Sequence, residues 1–118
     1  MPGFETVPGA DADFMVALLG GFGLFWGGRV LGIPRASQRL FAFLALHSGM
    51  VKRAAVAGTL WPDASERHAY SNLRSALARL QCTARKALAV SKLELGLAEG
   101  VTVDVLYAQA LARRLPDP

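Results

Sequence analysis

Six Lys or Arg side chains, Arg67, Arg74, Arg79, Arg85, Lys86 and Lys92, fall between Arg67 and Leu93 without a single acid among them. Guanidinium and ammonium groups are donors with a fixed or near-fixed positive charge, so such a run suits a polyanion. Asn72 lies in the same stretch, and its amide can donate to and accept from a base edge at once. Ser71, Ser75 and Ala78 are small enough to let a helix backbone approach such a partner closely. A wider window carries the same message. From Arg29 to Lys92 eleven Lys/Arg meet two acids, Asp63 and Glu66, a local net charge of +9 against +4 for the whole 118-residue chain. The competing interpretation is a solvated basic helix face, but such faces usually interleave acids at i,i+4 spacing.

Other chemistries find little support. Gly20-Gly21-Phe22-Gly23 opens like a dinucleotide fingerprint, yet its third glycine is missing and no helix follows, so it reads as turns. There is no phosphate loop. One cysteine, Cys82, and two distant histidines, His47 and His68, are too few ligands for zinc. Cys82 has no evident partner base, and His47 sits where a helix should end, which favours a capping role over a catalytic one. No enzyme activity, cofactor or metal is expected. A lone cysteine permits no internal disulfide and fits a reducing cytoplasm. The longest uncharged run, Phe14 to Gly28, is too short for a bilayer and is broken by glycines.

The basic stretch must be held by a scaffold, and the 53% hydrophobic content is enough for one packed domain. Residues 1–13, rich in Pro, Gly and acid, read as a flexible arm. Apolar runs over Met15–Gly20 and Phe22–Trp26, then Arg29–Leu31, are separated by glycines, and Gly27-Gly28 is a hairpin signal. Pro34 ends that sheet. Ser37–His47 is a central helix, too apolar all round for the surface, and Lys52–Trp61 is a second, stopped by Pro62. Asp63 and Glu66 have capping-box spacing, opening a long third helix over about Ser65–Ala87. At helical period its apolar row is Ala69, Tyr70, Leu73, Ala76, Leu77, Leu80 and Ala84. Leu88–Ser91 and Leu93–Leu97 alternate as a hairpin, with Leu93, Leu95 and Leu97 on one face. Glu99-Gly100 turns into Val101–Val105, and Asp104 could cap a last helix, Val105–Leu115. The expected class is α+β: an antiparallel N-terminal sheet, three helices and a C-terminal β-hairpin. Leu73, Leu77, Leu80, Trp61 and Phe41 are the expected core.

The order and several motifs resemble one family. Leu60-Trp61-Pro62-Asp63 followed by Ala69-Tyr70-Ser71-Asn72-Leu73-Arg74-Ser75-Ala76-Leu77-Ala78-Arg79-Leu80 is similar to the turn and recognition helix of the winged helix-turn-helix domain of SARP-type regulators, which have the OmpR/PhoB-like fold. Met15–Gly23 looks like that domain's opening strands, Phe43-Leu44-Ala45-Leu46-His47 like its central helix, and Gly100–Val105 like its exit strand. The resemblance spans about residues 14–110. It implies a bacterial regulator that binds duplex DNA at promoter repeats, in tandem or as a dimer, and contacts RNA polymerase. The third helix would enter the major groove, and the hairpin would reach backbone or minor groove. On this reading 14–105 is the DNA-binding domain, and 106–118 is a terminal helix or the start of the helical activation domain that follows in those regulators. The chain is then either a truncated or a complete minimal regulator.

The residues divide accordingly. Ser71, Asn72, Arg74, Ser75 and Arg79 are the candidates for reading bases. Arg39, Lys52, Arg53, Arg67, Arg85, Lys86 and Lys92 are the candidates for phosphates. The rival is a winged-helix protein-interaction module without DNA binding, docking through Phe25, Trp26 or exposed strands.

Overall fold

A computed structural model describes residues 14–47 and 49–104. The arm expected over 1–13 and the last helix expected over 105–115 lie outside the described residues. In chain order the elements are β1 (Phe14–Ala17), β2 (Gly23–Trp26), β3 (Arg29–Leu31), α1 (Arg35–Ala45), β4 (Val51–Lys52), α2 (Arg53–Leu60), α3 (Glu66–Ala78), α4 (Cys82–Arg85), β5 (Leu88–Val90), β6 (Glu94–Leu97) and β7 (Thr102–Val103). The described residues thus form a mixed α+β fold with four helices and two small sheets.

The first sheet has the order β3-β2-β1-β7. Its first three strands are antiparallel, and β7 lies parallel to β1 with Met15 opposite Thr102. Period-two alternation turns Phe14, Val16 and Leu24 inward to full burial. The β2–β3 turn needs positive φ twice, and Gly27 (57°) and Gly28 (82°) supply it without a Cβ penalty. At the far edge, the Asp104 carboxylate accepts hydrogen bonds from the backbone N–H of Leu18 (2.8 Å) and Leu19 (3.1 Å). That tie fastens the end of β7 to the start of the β1–β2 turn.

Pro34 does more than end the sheet. It is the N-cap of α1, and its carbonyl takes the N–H of Gln38 at 2.9 Å, so α1 begins at Arg35, before the expected Ser37. Leu40, Phe41, Leu44 and Ala45 are buried, but Leu46 is 62% exposed, so the helix is amphipathic and not apolar all round. His47 Nδ1 donates to the Phe43 carbonyl at 2.6 Å and its ring stacks on Phe43 at 4.1 Å, closing the helix end.

Lys52 belongs to a strand and not to the second helix. Val51 and Lys52 pair with Leu95 and Glu94, making a second sheet of order β4-β6-β5. Two residues are too few to show alternation, so this third strand left no trace in the sequence pattern. Leu95 is its buried centre, and Leu97 is half-buried. Leu93 precedes β6 in the turn, where alternation does not apply, and it is 72% exposed while Leu95, expected on the same face, is fully buried.

The third helix is shorter than its apolar row. Ser65, not Asp63, is the N-cap, and its Oγ accepts the N–H of His68 at 3.2 Å. The helix stops at Ala78 although no Gly or Pro intervenes before Ala87. Leu80 N–H turns to the Leu77 carbonyl instead of reaching back four residues. The Ala76 carbonyl is met by the hydroxyl of Ser37, a fully buried residue of α1, at 2.7 Å. Arg85 Nη2 donates to the Leu77 carbonyl at 2.9 Å from α4. The helical rise thus breaks and restarts, while Leu80, Ala84 and Ala87 continue the buried row begun by Ala69, Leu73 and Ala76. Leu77 and Trp61, expected in the core, are half-buried at its edge. Among the described residues no helix is long and apolar enough to cross a membrane.

Candidate nucleic-acid interface

Ala69, Leu73 and Ala76 face the core, so α3 offers its opposite side outward. Arg67, Ser71, Arg74 and Ala78 follow one another at i, i+4, i+7 and i+11, which makes them the crest of that side. Arg67, Arg74, Ser75 and Ala78 are exposed, and Ser71 is half-buried. Of the five base-reading candidates, the structure brings Ser71, Arg74 and Ser75 onto or beside this crest. Asn72 and Arg79 lie around the helix, where with Ala36, Trp61, Ser75 and Ala76 they line a shallow groove. Arg79 is also the C-cap residue of α3.

The other flank of α3 faces the β5–β6 hairpin. One groove there is lined by Arg74, Leu77, Ala78, Arg85 and Val90. A second, with a volume of about 530 Å³, is lined by Lys52, Ala54, Tyr70, Ser91, Lys92, Leu93 and Glu94. Its lining thus combines two lysines with the apolar side chains of Ala54 and Leu93 and the Tyr70 ring. The hairpin tip is held by its own chemistry. Ser91 Oγ accepts the Glu94 N–H at 3.0 Å, Ser91 N–H reaches the Glu94 carbonyl at 2.9 Å, and Arg53 Nε donates to the Ser91 carbonyl at 3.1 Å.

The seven phosphate candidates therefore separate. Lys52 and Lys92 line the helix–hairpin groove, and Arg67 and Lys86 are exposed. Arg53 holds the Ser91 carbonyl at that groove, and Arg85 holds the Leu77 carbonyl at the neighbouring one. Arg39 does something else. Its Nη2 donates to the Leu60 carbonyl, and its guanidinium lies over the Trp61 ring, 5.9 Å from the centroid, securing the α2–α3 turn beside Pro62 and Asp63. Tyr70 and Glu94 also line the groove and were not singled out in the sequence as site residues. Tyr70 sits on the margin of the apolar row, where a phenol with a polar tip is at home, and that position was its available signal. Nothing in the sequence marked Glu94.

Among the described residues no cluster of three or more His, Cys, Asp or Glu side chains could hold a metal ion. Compared with known protein families, with curated proteins and with solved structures, the chain matches none of them.

Proposed function

We propose that this chain is a sequence-specific duplex-DNA-binding domain of winged helix-turn-helix type, acting in the cytoplasm on transcription. On this reading α2, the Trp61–Ser65 turn and α3 are the helix-turn-helix, and the β5–β6 hairpin is the wing. The observation that carries the reading is the outward face of α3. It presents arginines alternating with Ser71, Ser75 and Ala78, has no acid from Arg67 onward, and lies beside a hairpin with Lys92 at its tip. A rigid helix of this kind can place donors on base edges in the major groove while the wing lysines meet the backbone. Binding at promoter repeats, as a dimer or in tandem and next to RNA polymerase, belongs to the same proposal and rests on the resemblance to SARP-type regulators.

Salt tests it. Neutralising several phosphates releases counterions, so affinity for duplex DNA should fall by roughly a hundredfold or more between about 50 and 200 mM salt. Fluorescence anisotropy across that range measures the slope. Affinity that stays flat overturns the reading and favours a protein-docking module, whose support is the exposure of Val90 (48%) and Leu93 (72%) on the hairpin and Val30 (68%) on the first sheet.

A further inference from the structure

We infer that Arg67 is a specificity-determining residue of α3, placing its guanidinium fork on a guanine edge in the major groove, and not a phosphate contact. The inference rests on the DNA-binding reading and deepens it. Arg67 and Arg74 are seven residues apart, so they diverge by only about 20° around the helix. Ser71 lies between them, about 40° from Arg67. The three side chains therefore leave α3 along one line. Asn72 and Arg79, by contrast, leave it about 120–140° away from Arg67.

Position along the axis points the same way. Arg67 stands in the first turn of α3, and in helix-turn-helix docking the N-terminal residues of the recognition helix meet the base edges. That turn is fixed, because the Ser65 hydroxyl holds the His68 N–H. The side chain itself is available. Arg39, Arg53 and Arg85 each donate to a backbone carbonyl, whereas Arg67 is exposed and makes no hydrogen bond or ion pair among the described residues. The adjacent carboxylate, Glu66, projects about 100° away around the helix and so leaves the fork free. An unengaged guanidinium in this place has the donors for the O6 and N7 acceptors of guanine. The backbone role has other occupants in Lys52 and Lys92, which flank the groove between helix and hairpin.

The experiment starts with a duplex selected from random DNA by the wild-type chain. Wild type, Arg67→Ala and Arg67→Lys are titrated on that duplex, on its scrambled counterpart and on its single-base variants, at several salt concentrations, with a thermal melt of each protein. Arg67→Ala should weaken the selected duplex by about 5- to 150-fold and weaken the scrambled one much less. It should erase the preference at one base pair and leave the melt unchanged. Arg67→Lys should keep the salt slope without restoring that preference, because a lysine lacks the planar fork. Equal loss on every duplex, with a salt slope shallower by about one, makes Arg67 a phosphate contact and overturns the inference while leaving DNA binding intact. An Arg67→Ala titration indistinguishable from wild type overturns it as well. A wild-type chain that selects no duplex brings down the DNA reading itself.

Discussion

The two ends of α3 are closed by different means. At the N-terminal end the partner is local: Ser65 accepts from a backbone N–H three residues on. At the C-terminal end, beside the local Leu80 N–H, partners come from elsewhere. Ser37, 39 residues earlier in the sequence, reaches the Ala76 carbonyl, and Arg85 reaches the Leu77 carbonyl from the next helix. Local capping fixes where a helix starts with information carried in the helix's own flank. Distant capping makes the stop depend on the packed domain, since the Ala76 carbonyl is met by a hydroxyl of α1 and the Leu77 carbonyl, which already holds the Leu80 N–H, gains a second donor from α4.

That contrast can be pressed by substitution. Ser37→Ala should have the largest effect, because it leaves the Ala76 carbonyl buried and unpaired at a cost of about 1–3 kcal/mol. In a domain of this size each kcal/mol corresponds to roughly 4–8 °C in Tm, easily read in a melt. Ser65→Ala should cost about 1 kcal/mol, the usual loss for an N-cap, and Ser65→Asp should recover it. A larger loss at Ser65 than at Ser37 would reverse the comparison, making the local end the critical one. Arg85→Ala should move stability least, within about 0.5 kcal/mol, since the side chain is exposed and water can take its place at the carbonyl. A clear drop in Tm for Arg85→Ala would show that the distant end depends on both its partners and not on Ser37 alone.

The same division governs what the sequence could reveal. The approximate start of α3, the glycine turn at 27–28 and the β5–β6 hairpin were legible from short-range signals, although the capping side chain is Ser65 and not the expected Asp63. The break after Ala78 was not. No Gly or Pro interrupts 66–87, and the apolar row runs on through Leu80, Ala84 and Ala87. A periodicity argument sees one helix where the structure has two. The pairing of Val51 and Lys52 with β6 was hidden for a related reason, since its partners lie more than forty residues away. In the candidate site, charge and residue type singled out α3, whose outward face the structure leaves exposed at Arg67, Arg74, Ser75 and Ala78. They could not separate Arg39, Arg53 and Arg85, which hold the fold's own carbonyls, from Arg67 and Arg74, which stay free, because that depends on tertiary neighbours.

The parallel pairing of β1 with β7 has a consequence for how the chain comes into being. The Asp104 carboxylate and the Leu18 N–H that it holds are 86 residues apart, so the first sheet closes through one of the longest-range hydrogen bonds among the described residues. Contacts of such separation form late, after the loop entropy between them has been overcome. During synthesis β1, β2 and β3 leave the ribosome before the other described elements, and the edge of β1 stays open until nearly all of them have followed. A nascent chain halted short of Thr102 would carry Phe14 to Ala17 as an unpaired strand edge, a template for another chain to join. The last described strand thus acts as a completion check: only a chain translated through residue 104 can seal its own beginning.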